Sequence, residues 1–321
     1  MAAKAENSIV HIPDGFIDGK TAAVTAVISA AGVGFALWQV RRELPPRKVP
    51  LLGLAAAFLF AAQMVNFPVA GGTSGHLVGG TLVAALLGPS AAVVVVTTVL
   101  IVQCFLFQDG GVMALGANVF NMAILNSVAG YVIYRAVCHC LTGIRGRVTA
   151  IAFASWCATV LAAICCAGQL AWSGTMPWSV AFPTMATVHM FIGVGEGLIS
   201  ALVFLAVCRA RPDLITETAL TGQPQRLGEL VCYGLLVTLG IAVFVAPFAC
   251  SWPDGLDSVE DKFGFSHKMA PLLPAPAPNY QVPGIHWAVG ATAVAGAAGS
   301  LIVFVLALLM GRWLVPKPKD L

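Results

Sequence analysis

Charge is what this chain has least of. Only 10% of its 321 residues are Asp, Glu, Lys or Arg, against about 25% in soluble domains. Hydrophobic residues make up 59%, and the mean hydropathy is +0.89. A soluble fold of this length would lack polar surface to offer water, so the chain is read as an all-α integral membrane protein. Several catalytic signatures are missing as well. There is no GxxxxGK phosphate loop, no HExxH and no GxSxG. These absences argue against an ATPase, a zincin and a serine hydrolase. The chain is expected not to be an enzyme, and any ATP-driven transport would need its ATPase on another chain. The opening MAAKAENSI lacks the basic start, apolar middle and small-residue cleavage site of a secretory signal, and is not read as one. Nine cysteines are present, but most lie in apolar runs, where cysteine behaves as a small hydrophobe.

Long apolar segments are what the sequence has in quantity. They run over 21–40, 51–69, 76–88, 90–107, 112–138, 148–171, 187–208, 228–250 and 284–311, each measured against a hydrocarbon core roughly 30 Å thick. About nine transmembrane helices are expected. The third segment is short and glycine-rich, either a tilted span or one arm of a re-entrant hairpin with the fourth. Of the 17 Lys and Arg residues, 13 fall in the loops 41–48, 135–147 and 209–226 and in the C-terminal tail, all on one side. The other side holds Lys4, Lys20, Lys262 and Lys268. The positive-inside rule makes the basic side cytoplasmic. The N-terminus is therefore expected outside and the C-terminus in the cytoplasm.

Polar residues near the expected outer face carry the chemistry. VHIPDGF at 10–16 puts His11 at the mouth of the first span. His76 ends the glycine-rich GGTSG of 71–75, which also contains Ser74. Irregular backbone at membrane depth is tolerated where protein covers it or where it lines a cavity, which makes His76 a ligand candidate. His189 is expected to open the seventh span. Neutral imidazole suits nickel, copper and zinc, although a lone histidine at a span mouth is more often packed than ligating. Gln103 lies late in the fourth span, and QDGG at 108–111 forms the next outer turn. Asn118 and Asn121 are three apart and share a helix face. They mark either a pathway or amide contacts between helices. Glu196 is the acid inside an apolar span, a proton or metal partner or a structural pair. The CHC at 138–140 falls on the cytoplasmic side and is read as an incidental span end, since zinc sites need four ligands at wider spacing.

The stretches HIPDGF, GGTSGHLVGGTLVAALLGP, VQCFLFQDGGVMALGANVFNM and HMFIGVGEGLIS resemble the CbiM/NikM family. These are the substrate-binding (S) components of energy-coupling-factor (ECF) transporters for cobalt and nickel. WPDGLDSVEDKFGF (252–265) and YQVPG (280–284) resemble the PDGLE-type small subunit, CbiN/NikN. The chain thus resembles a fusion, with a metal-capture part over 1–212 and a PDGLE part over 213–321.

The resemblance implies a metal-binding subunit of an importer for Ni2+ or Co2+, with no tightly bound cofactor. It implies a free α-amine, the amide and imidazole of the adjacent histidine, and a second histidine as ligands. Here the histidines would be His11 and His76. Val10 stands where the family has its initiating Met, so a GTG start read as Met would supply the amine. Ser74, Gln103, Asn118, Asn121 and Glu196 are expected around the site or along a pathway. Asp254, Asp257, Glu260 and Asp261 of the PDGLE part are expected to attract cations from an outer loop. The implied partners are a coupling subunit (CbiQ/NikQ-like), ATPase subunits (CbiO/NikO-like) and the bilayer, with no nucleic acid. The location implied is a bacterial or archaeal cytoplasmic membrane. A proton-coupled secondary permease with Glu196 as relay is the competing reading.

Overall fold

The structure is a computed structural model that describes residues 11–211 and 227–316. Val10, the leader and the junction at 212/213 lie outside the described residues. Among the described residues, seven helices are long and apolar enough to cross a membrane: α1 (Gly19–Glu43), α4 (Pro89–Phe107), the rod Leu115–Cys140, α7 (Gly143–Trp172), α8 (Trp178–Ala210), the segment Leu227–Phe248 that begins with α9 (Leu227–Phe244), and α11 (Ala288–Leu314). Two further apolar segments are shorter than the sequence suggested. The second helix, α2 (Val49–Gln63), has 15 residues, about 22 Å of helix, and the rest of its expected span enters a β-hairpin.

The third segment is helical only in its second half, which turns back at Gly88 against the fourth. Strands β1 (Phe67–Val69) and β2 (Thr73–Gly75) pair antiparallel. Irregular chain then leads from His76 to the eight-residue α3 (Gly80–Leu87). Gly88 turns the chain straight into α4 beside Gln39, Glu43 and Lys48, at the C-terminal end of α1. Irregular backbone and a helix start inside a bundle need partners for their N–H groups, and named side chains supply them. Glu196 accepts from Val78 N and Gly79 N, at 2.7 and 2.9 Å. Asn126 Oδ1 accepts from Thr81 N at 3.0 Å.

The fifth segment is one helical rod with an irregular centre: α5 (Leu115–Asn118), a π-helical stretch (Val119–Leu125) and α6 (Asn126–Cys140). The widened turn follows directly on Asn118. Such π-bulges are frequent at functional sites.

In the C-terminal part, α11 lies against α2 through the small-residue face AVAGAAGS. A side chain at Gly299 would meet the Phe60 ring at 2.1 Å, so close helix approach depends on that glycine. The remaining helix, α10 (Gly255–Phe263), is short and amphipathic, and Asp254 caps its N-terminus. The acids of this segment do not all face outward as expected. Asp254, Asp257 and Glu260 are buried and Asp261 is exposed, because α10 packs its inner face onto the bundle.

Candidate metal centre

Residues 11–18 form a plug seated among the helix ends. Asn118 clamps it at both backbone polar groups of Ile12. Its Oδ1 accepts from Ile12 N and its Nδ2 donates to Ile12 O, each at 3.0 Å. Gly111 N donates to Ile12 O at 2.9 Å. Asp14 Oδ1 accepts from Met113 N at 2.7 Å, and Ala270 N donates to Asp14 O at 3.0 Å. Phe16 is fully buried and meets Phe265 edge-on, with ring centroids 5.0 Å apart. Thr175 Oγ1 donates to Phe16 O. The plug is therefore held by the QDGG turn, by the π-bulged rod and by the C-terminal part together.

This seating places His11 opposite His76, with ring centroids 5.9 Å apart. Asp109 Oδ1 accepts a hydrogen bond from His11 Nδ1 at 2.7 Å, in a pair closed to solvent. A carboxylate on one ring nitrogen fixes the tautomer and leaves the lone pair on the other. That other atom, His11 Nε2, is buried without a hydrogen-bond partner, and so are both ring nitrogens of His76. Buried polar atoms are nearly always paired, so three orphan imidazole nitrogens on facing rings make a candidate ligand site.

The rings border a cavity of about 80 Å3 that also touches Asn118, Asn121, Met122, Cys166, His189 and Asp254. Its volume suits an ion with little water. Burial drives the His76 imidazole down to about 3. It therefore stands neutral, lone pair available, across the physiological range. Asp109 is pushed up by burial, but the hydrogen bonds it accepts from His11 and Tyr280 act against this and hold the carboxyl below its ordinary value. Asp254 goes the other way, because burial lifts its carboxyl to about 7.

His189 was expected at the opening of its span. Instead it lies about three turns inside α8, because the helix begins at Trp178. Its Nδ1 faces Met185 O at 2.9 Å, and its ring lies against Gly255, where an added Cβ would sit 2.6 Å from Cε1. The dipeptide Asp254-Gly255 thus roofs the cavity from the C-terminal part. The roof is fixed by Ser74: its N donates to Pro253 O at 2.8 Å and its Oγ to Trp252 O at 2.7 Å.

Of the other expected site residues, Asn121 pairs with Gln169 through two amide hydrogen bonds of 2.8 and 3.0 Å. Gln103 is buried beside the Tyr280 hydroxyl and does not border the cavity. Glu196 is removed from the cavity and holds the turn that follows His76. Glu196→Gln replaces one accepting oxygen with a donor facing a buried N–H. It is expected to cost about 1–3 kcal/mol and to loosen His76, read as a lower unfolding temperature together with faster metal loss. His139 and Cys140 of the CHC run are exposed at the far end of α6. The sequence did not single out Asp109 or Tyr280. The available signal was an acid in a glycine turn directly after an apolar span, one helix away from two histidines.

Comparison with known proteins gives the chain's family. Residues 11–214 match the family described as the cobalt uptake substrate-specific transmembrane region, CbiM, and residues 228–316 match the PDGLE domain. The chain belongs to the CbiM family. It is 35% identical over 306 residues to an Archaeoglobus fulgidus protein that bears the name fused nickel transport protein NikMN. That alignment covers 95% of this chain and 99% of the relative. The fused nickel transport protein NikMN of Rhodobacter capsulatus is 32% identical, over 68% of this chain and 67% of its own length. A Methanococcus voltae protein named as a cobalt transport protein CbiM is 30% identical, over 65% of this chain and 95% of its own. A crystal structure of a truncated transition metal transporter aligns with a TM-score of 0.57 and 32% identity, over 62% of this chain and 99% of that one. This CbiM-family chain with its PDGLE extension is thus a multi-pass membrane protein of a nickel and cobalt transport family.

Proposed function

We propose that the chain is the substrate-specific capture subunit of an ECF importer of Ni2+ or Co2+, with the imidazoles of His11 and His76 as donors. The observation that carries this reading is the set of buried, unpartnered ring nitrogens on the two facing histidines. A nitrogen-rich set with no thiolate directly between the rings suits Ni2+ and Co2+. On this reading the chain crosses the cytoplasmic membrane nine times, with α2 and the segment 77–87 that ends in α3 as the two short crossings. The plug and His76 then sit at the outer face, and the basic loops face the cytoplasm. A coupling subunit and ATPase subunits on other chains drive release.

The resemblance adds the free amine and the His11 amide as donors, with Val10 read as an initiating Met. A chelate ring through that amide uses Nδ1, the atom that faces Asp109 here. Chelation therefore turns the His11 ring about Cβ–Cγ, whereas ligation through Nε2 keeps the Asp109 contact. The permease reading draws less support. Both Glu196 oxygens are committed to backbone N–H groups, so a relay through it would break the turn after His76.

The test is metal stoichiometry by elemental mass spectrometry on two purified forms, the full chain and one starting with Met at position 10. About one nickel or cobalt per short chain, with less on the full one, is the expected result. No metal on either form at micromolar loading would overturn the capture role. Cells without the ATPase should lose uptake; retained uptake there would favour the permease.

A further inference from the structure

The PDGLE part carries a residue that reaches the metal centre from behind. Tyr280 Oη donates to Asp109 Oδ2 at 2.6 Å, while Asp109 Oδ1 holds His11 Nδ1 at 2.7 Å. Its ring stacks on Phe107, the last residue of α4, with centroids 4.8 Å apart and planes 16° apart. The carboxylate is thus braced on both oxygens, by the ligand candidate on one side and by the C-terminal part on the other. The backbone there is unusual: Asn279 and Tyr280 take φ values of +53° and +58°. Left-handed backbone at a tyrosine is disfavoured, and it persists where the surroundings over-determine it. Here it is the conformation that brings the hydroxyl to Asp109.

We infer that Tyr280 is a positioning residue of the capture site, acting through Asp109 to set the orientation and tautomer of His11. The inference rests on His11 being a metal donor. A carboxylate that orients a ligating histidine is worth about 10–100-fold in affinity. The hydroxyl that orients the carboxylate transmits part of that. Tyr280 therefore does more than pack the PDGLE part against α4: it makes metal retention depend on how that part is seated.

Tyr280→Phe keeps the ring on Phe107 and removes only the hydroxyl. Ni2+ affinity and dissociation rate would be measured on the purified full chain by competition with a chromogenic chelator. The variants are Tyr280→Phe, Asp109→Asn, the double variant and His11→Ala. Tyr280→Phe is expected to shift Ni2+ affinity by about 3-fold or more, in the direction in which Asp109→Asn shifts it. It is expected to add nothing in the Asp109→Asn background, since both changes act on one path. A packing role alone would lower the unfolding temperature and leave the Ni2+ parameters untouched, which would overturn the inference. So would additive effects of the two substitutions, or an Asp109→Asn variant that binds like the parent. His11→Ala separates the two levels. Lost Ni2+ binding there with a silent Tyr280→Phe refutes only the positioning role, whereas retained binding refutes the capture reading as well.

Discussion

His76→Ala is expected to abolish metal capture, and His11→Ala to do the same. Each substitution should weaken Ni2+ or Co2+ binding by more than about 100-fold, beyond what outer-shell partners are worth. Titration of the purified chain by calorimetry measures it. The fold should tolerate the His76 change, because its ring nitrogens make no hydrogen bond to the protein and no partner is stranded. Acid provides a second readout. Burial holds His76 at about 3, far below its ordinary 6.5, so the folded chain resists a proton that the unfolded chain accepts. The resulting stability is complete above about pH 6.5 and falls as pH drops through the window towards 3. His76→Ala should flatten that acid limb in unfolding experiments. A variant that keeps parental affinity would remove His76 from the site.

Gly15→Ala is expected to undock the plug. Gly15 holds φ at +96°, and an added Cβ would lie 1.9 Å from the Lys268 carbonyl oxygen. A backbone atom cannot yield as a flexible side-chain tip can, and the left-handed region adds strain. The contacts that seat His11 run through this turn: Asp14 accepts from Ala270 N and Met113 N. Metal dissociation should accelerate at least 10-fold, in line with the loss of an orienting contact. Limited proteolysis should begin to cut near the N-terminus, while the helical bundle keeps its circular dichroism. Gly19→Ala is the control, since nothing lies within 4 Å of an added Cβ there. Equal metal retention in both variants would mean that the plug does not need its contact with the C-terminal part.

Much of this molecule is legible in its amino-acid sequence. The shortage of charge and the long apolar segments settle the class, because an uninterrupted apolar run in lipid satisfies its own backbone as helix. HIPDG and GGTSGH single out two histidines as candidates through the resemblance they carry, since a lone histidine at a span mouth is more often packed than ligating. The hidden features all depend on contacts distant in sequence. Glu196 in isolation reads as a proton or metal partner or as a structural pair, and only the seating of Val78 and Gly79, 118 and 117 residues earlier, favours the structural role. Periodicity could not reveal the irregular stretch ahead of α3, because a short apolar run carries no clear period.

Asp109 lies 98 residues from His11, and Tyr280 lies 171 from Asp109. No local pattern links them. Composition and motif determined what kind of protein this is and singled out His11 and His76 as candidates. Tertiary structure decided which of their nitrogens lack a protein partner, because a tautomer is set by the partner across the fold, and for His11 that partner is a carboxylate braced by Tyr280 of the C-terminal part.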